Sequence, residues 1–169
     1  MADRSTGKVG NRAPRHWGRA QKDGRKDPYR PAQKPSEPTA CPQCGAVYHH
    51  GRWQWSAVPE GAEKTLCEAC RRINEDFPAG ILHLASDAVA AHAEEIEQLL
   101  RHQEQAEKSE HPLNRIMAIE RTDPGALVVK TTDVHLPRRL VRAIERAYGG
   151  RAVEHFEKDG ASVRIEWRG

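Results

Sequence analysis

The apolar positions of this chain crowd into its second half, where they change period several times. Val89, Ala93, Ile96, Leu99 and Leu100 recur at helical spacing and make one buried stripe. Ser86-Asp87 opens that helix, and it must finish before His111-Pro112. Glu94, Glu95, Glu97 and Glu104 line its other side and read as a solvated face, with Glu97 four residues ahead of Arg101 in the supportive order. His92, beside the stripe, reads as a half-buried packing residue. Residues 115–121 and 126–131 form a hairpin over Asp123-Pro124-Gly125. Residues 137–148 make a second helix with Leu140, Val141, Ile144 and Tyr148 inward, stopped by Gly149-Gly150. Residues 152–157 and 162–167 close the chain as a second hairpin over Asp159-Gly160. In its last strand Val163, Ile165 and Trp167 alternate with Arg164, Glu166 and Arg168, which leaves one face wet. Two helices on one face of a four-stranded, mostly antiparallel sheet would bury all these stripes together. Residues 81–169 are therefore expected to form an α+β domain of helix-hairpin-helix-hairpin order.

Residues 41–80 follow a different logic, because they are too few to build an adequate apolar core. They hold all four cysteines, as Cys41-x2-Cys44 and, after 22 residues, Cys67-x2-Cys70. Two such pairs at this separation predict one structural zinc ion held by Cys41, Cys44, Cys67 and Cys70. Each pair suits a tight knuckle, and Gly45 after Cys44 fits the turn. Residues 47–50 and 52–57 can pair across Gly51, and residues 68–76 read as a short helix ended by Pro78-Ala79-Gly80. The result is a treble-clef or zinc-ribbon module. A disulfide framework does not suit a chain without a secretory signal. A redox dithiol needs one pair rather than two, and a catalytic zinc needs an open position that four thiolates close. His49 and His50 are then surplus and read as exposed loop residues.

Residues 1–40 contain no Ile, Leu or Phe, and are expected to be a disordered basic tail. The chain has 27 Lys and Arg against 24 Asp and Glu, a formal net charge of +3. That average conceals a split: residues 1–40 carry 10 basic and 4 acidic side chains, and the remainder 17 and 20. Basic residues recur through the tail with Trp17 and Tyr29 interleaved, which suits either a solubilising tail or an arm that orders on RNA. Aliphatic runs are far shorter than the ~20 residues of a membrane span, and no apolar segment follows Met1, so a cytoplasmic location is expected.

The acidic remainder still gathers positive charge locally. Arg138, Arg142 and Arg146 fall at i, i+4 and i+8 of the second helix with Arg139 alongside. Arg52, Lys64, Arg71 and Arg72 flank Trp53 and Trp55, two apart and thus on one face of the hairpin. The indoles either cover the metal site and the second domain or form a stacking platform for unpaired bases. With the arm, these make three candidate RNA-contacting patches. Enzyme signatures are missing: there is no G-x-S-x-G, P-loop or H-E-x-x-H, and no cysteine is left over once zinc is bound. In Thr131-Thr132-Asp133-Val134-His135 the acid and base read as the start of the second helix, with Thr132 or Asp133 capping its amides.

At particular residues the chain resembles a known family. Cys41-Pro42-x-Cys44-Gly45-Ala46, Gly51-Arg52-Trp53-x-Trp55 and Leu66-Cys67-x-Ala69-Cys70-Arg71-Arg72-Ile73 are similar to the bacterial relatives of the NMD proteins. The likeness continues through Pro78-Ala79-Gly80, His111-Pro112-Leu113-x-Arg115-Ile116-Met117 and Thr131-Thr132-Asp133-x-His135-Leu136-x-Arg138-Arg139, covering residues 41–168. It implies zinc on the four cysteines and a link to ribosomes or RNA turnover. The eukaryotic export adaptors of that family carry further CxxC pairs and long domains that this chain lacks, so no export role is implied. The expectation is a non-enzymatic, zinc-stabilised protein that binds the ribosome, rRNA or mRNA, with no membrane and no small-molecule substrate. A zinc-ribbon protein–protein adaptor is the alternative.

Overall fold

The computed structural model describes residues 27–169 apart from Pro124 and Asp159. Those residues form a mixed α+β structure with three helices and two sheets. The smaller sheet has the order β3-β2-β1-β4, from β1 (Thr39–Ala40), β2 (Val47–His49), β3 (Arg52–Gln54) and β4 (Glu63–Lys64). The turn between β2 and β3 is His50-Gly51, with φ of 52° and 76°. Two left-handed residues match the twist of a two-residue hairpin, and the glycine tolerates that conformation without strain. Both turn amides donate to the Glu37 carboxylate, at 2.8 and 2.9 Å. Helix α1 (Glu68–Asn74) follows, ending two residues earlier than the pattern suggested.

The larger sheet has five strands, not the expected four, in the order β6-β7-β5-β9-β8. The additional strand is β5 (Gly80–Ala85), to which the sequence pattern assigned no element. It is central, pairing antiparallel with β7 (Ala126–Thr131) and parallel with β9 (Val163–Arg168). Strands β6 (Ile116–Asp123) and β8 (Arg151–Phe156) lie at the edges. A short apolar run bounded by turn residues, Gly80-Ile81-Leu82-His83-Leu84, is what a buried central strand looks like, and it carries no periodicity to announce itself.

Register explains the core. Leu82 sits between Val129 and Ile165, and Leu84 between Leu127 and Trp167, so one sheet face is continuously apolar. Helices α2 (Asp87–Glu110) and α3 (Leu136–Tyr148) cover that face, inserting Val89, Ile96, Leu100, Leu140, Val141 and Ile144. The Ser86 hydroxyl caps α2 by accepting from the Val89 amide at 3.2 Å. The Asp133 carboxylate accepts from His135 and Leu136 at 2.7 and 3.0 Å at the start of α3, as expected of this run. Among the described residues no helix is long and apolar enough to cross a membrane.

Three further expectations change. Residues 27–40, counted with the disordered tail, are folded onto the cysteine unit: Tyr29 is buried against Arg72 and Phe77, Thr39 is buried, and β1 pairs with both β2 and β4. A segment poor in aliphatic residues gains order here by completing a neighbour's backbone hydrogen bonds; residues 1–26 lie outside those described. Glu104 is not solvated but buried, accepting from the Ile116 amide at 2.7 Å and pairing with Arg101 at 3.1 Å. His92 is exposed rather than half-buried, at a non-helical residue inside α2 (φ −127°).

Candidate metal centre

The first knuckle is built by backbone hydrogen bonds. The Cys41 amide donates to the Ala46 carbonyl at 2.8 Å and the Gly45 amide to the Cys41 carbonyl at 2.9 Å. Gly45, at φ 80°, reverses the chain between them. The second knuckle is the start of α1, where the Cys67 sulfur caps the helix by accepting from the Cys70 amide at 3.4 Å. The Cys67 amide in turn donates to the Cys41 sulfur at 3.4 Å. Cys41, Cys67 and Cys70 are buried and Cys44 is partly exposed.

The four sulfurs lie within 4.8 Å of one another and can hold one metal ion. Tetrahedral thiolate ligation with bonds of about 2.3 Å implies edges of about 3.8 Å, and the Cys44 and Cys67 sulfurs are 3.8 Å apart. That separation is nearly twice a disulfide bond of about 2.05 Å, and all four cysteines are free. The donor set thus fits a metal. The Cys67 thiol, hydrogen-bonded to Cys44, holds the Cys44 thiol down to about 4. The same hydrogen bond, with burial, pushes Cys67 up, and burial raises Cys70.

The residue that sequence reasoning missed is Arg115, just before β6. It is 7% exposed, and its guanidinium donates to the sulfurs of Cys44 at 3.1 Å and Cys70 at 3.4 Å. Its Nε donates to the Pro112 carbonyl at 2.6 Å. Burial opposes the Arg115 charge, yet its hydrogen bonds to the thiols and their negative charge hold its pKa above the ordinary value. Leu113 packs on the cysteine cluster beside it. Position in the run His111-Pro112-Leu113-x-Arg115 was the only signal in the sequence, because forty-five residues separate Arg115 from Cys70.

The expected nucleic-acid residues separate into three kinds. Arg72 is closed to a ligand: it is 2% exposed, ion-paired with Asp27, bonded to the Phe77 carbonyl at 3.0 Å and stacked 4.4 Å from the Tyr29 ring. Trp53 packs on the cysteine cluster and meets Tyr48 edge to face at 5.5 Å. Trp55 donates to the Lys108 carbonyl at 2.7 Å and lies 5.9 Å from the Arg115 guanidinium, although 39% of it stays exposed. The two indoles therefore face the metal site and the second unit rather than standing free. Arg52, Lys64 and Arg71 are exposed but scattered over β3, β4 and α1.

The helical arginines do come together. Arg138, Arg139, Arg142 and Arg146 line a groove of about 490 Å³ between α2 and α3 with Gln103, Glu107 and His135. Arg138 pairs with Glu154 at 2.8 Å and stacks on Phe156, and Arg139 pairs with Glu107 at 2.9 Å. Arg142 and Arg146 are exposed, and among the described residues neither is paired with a carboxylate. No protein-family model, no curated protein and no solved structure matches the chain.

Proposed function

We propose that the chain is a non-catalytic, zinc-stabilised protein that binds RNA through the arginine groove of α3, acting on the ribosome or on mRNA in the cytoplasm. The observation that carries this reading is the groove itself, in which Arg142 and Arg146 are exposed and, among the described residues, paired with no carboxylate. Guanidiniums held by a rigid helix match phosphate oxygens in geometry and charge. Arg138 and Arg139, already steadied by carboxylates, flank them. Zinc is assigned to the cysteines because a closed set of four thiolates with tetrahedral spacing suits it, and it plays a structural part only. The resemblance to the bacterial NMD-like proteins supports rRNA or mRNA as the ligand. Arg52, Lys64 and Arg71, exposed but scattered over β3, β4 and α1, add diffuse positive charge rather than a second binding surface.

The test is reversal of charge at Arg142 and Arg146 (R142E/R146E), read by sedimentation with ribosomes and by anisotropy with an rRNA fragment at several salt concentrations. Affinity should fall more than tenfold at low salt. The slope of log affinity against log salt should flatten by about one for each phosphate that is no longer neutralised. A wild-type protein that stays at the top of the gradient at low salt and ignores the rRNA fragment overturns the reading. The protein–protein adaptor is favoured by one feature, the exposed Val153 and Phe156 of edge strand β8. It is the outcome if the reversed protein still sediments with ribosomes unchanged.

A further inference from the structure

We propose that Arg115 is a positioning residue that joins the metal centre to the arginine groove, its side chain acting as the outer sphere of the four cysteines and its backbone anchoring the approach to α3. This rests on reading the cysteine cluster as a metal centre. Four thiolates around a divalent cation leave two net negative charges, and in a buried site a guanidinium offsets one of them at a distance where water cannot. Arg115 is the only cation among the described residues that donates to these sulfurs. Its planar fork spans Cys44 and Cys70 together, which the single ammonium of a lysine does not reproduce.

The backbone of the same residue carries the connection onward. The Arg115 amide donates to the Thr132 hydroxyl oxygen at 2.9 Å, and the Thr132 amide donates back to the Arg115 carbonyl at 3.0 Å. The Thr132 hydroxyl itself donates to the Leu113 carbonyl at 2.5 Å. Asp133, the next residue, accepts from the His135 and Leu136 amides where α3 begins. Arg138 and Arg139 stand within the first turn of that helix. Arg115 and Thr132 are both buried, so each group in this chain depends on its partner for satisfaction. The runs His111 to Met117 and Thr131 to Arg139 are thus two sides of one latch whose bolt is held by the cysteines.

The consequence is that metal loading sets the placement of the α3 arginines without touching them. Removing the metal leaves a buried guanidinium beside uncoordinated thiols, loosens residues 113–116 and releases Thr132 and the start of α3.

The test uses the full chain loaded with Zn2+ and the variants R115M, R115K and T132V. Competition with the chelator 4-(2-pyridylazo)resorcinol measures zinc affinity, and amide exchange follows residues 133–136. R115M should lose about 10- to 100-fold in zinc affinity, the range typical of outer-sphere partners. R115K should recover only part of it. T132V, which breaks the latch but keeps the guanidinium, should lose no more than about tenfold in zinc affinity, while its residues 133–136 exchange about tenfold faster; stripping zinc from wild type should produce the same acceleration. Wild-type zinc affinity in R115M, or unchanged protection of residues 133–136 on stripping, overturns the proposal. If R115M does not fold, T132V and the stripping experiment still decide. A wild-type chain that takes up no zinc at all sinks the metal reading itself, which separates the two failures.

Discussion

The two halves of the folded chain solve the same problem with opposite means. Around β5 to β9 the core comprises fifteen buried side chains, nearly all aliphatic, with Trp167 at its edge. Around β1 to α1 the corresponding cluster is Cys41, Cys67, Ala69 and Cys70, with Trp53 and Leu113 leaning on it. Leu113 belongs to the other half. The first arrangement excludes water over a whole sheet face and needs nothing further. The second has too little apolar surface to offset the entropy of ordering its chain, so its ligand geometry must do what packing does elsewhere. The weak point of the molecule is therefore the junction where Arg115 and Leu113 meet the cysteine module and where Trp55 of that module reaches the Lys108 carbonyl.

The largest expected effect tests that division directly. Structural zinc contributes an apparent binding free energy of about 10–16 kcal/mol in small thiolate modules, comparable to the whole stability of a typical domain of about 5–15 kcal/mol. Chelation of the protein, or substitution Cys67→Ser at the buried cap of α1, should therefore unfold residues 39–74. Amide exchange there should reach unprotected rates while β5, β7 and β9 stay protected and the helix signal of α2 and α3 persists. Loss of protection across the whole chain would mean that the two halves are one cooperative unit.

A smaller effect runs the other way. Leu82 is fully buried at the centre of the large sheet, and Leu82→Ala should cost about 2–5 kcal/mol. The thermal midpoint of the α+β region should fall while zinc stoichiometry stays at one per chain, as read by calorimetry and a metal assay on the same sample. Loss of zinc from that variant would show that the cysteine module borrows its stability from its neighbour.

The sequence was most readable where chemistry or period is local. Cysteine spacing carries the metal cluster because two residues per knuckle are set by one turn, and the stripes of α2 and α3 carry their own direction inward. What escaped reading is non-local. Strand β5 is too short to show a period, with His83 its one polar residue, and its place in the centre follows only from β7 and β9 pairing with it. Glu104 sits in a row of glutamates that look alike, and only the Ile116 amide it accepts from distinguishes it. Arg72 is read from the sequence as a nucleic-acid contact and Arg115 only as the start of a hairpin; Asp27 pairs with the first and the cysteines hold the second. Charge by itself does not say which arginines face a ligand and which neutralise the protein's own groups.

The smallest effect sharpens the junction between the halves. The Asp133 carboxyl lies in the crevice that Glu68 and Ala69 of α1 share with Leu113 and Thr132. Burial raises its pKa above the ordinary carboxylate range, against the pull of the Leu136 and His135 amides. A value higher in the folded state gives a contribution that is complete below the unfolded pKa and disappears as pH rises through the folded one. Wild type should therefore lose ground to Asp133→Asn as pH climbs from the acid side toward neutrality, since the amide keeps an acceptor oxygen and carries no buried charge. Asp133→Ala removes the acceptor as well and should lie about 1 kcal/mol below Asp133→Asn at any pH, the usual worth of an N-terminal cap. Thermal melts of the three proteins, paired at each pH so that metal loss cancels, read both effects. A wild-type-minus-Asn difference that stays flat with pH would place Asp133 in open solvent and the two halves further apart than their packing requires.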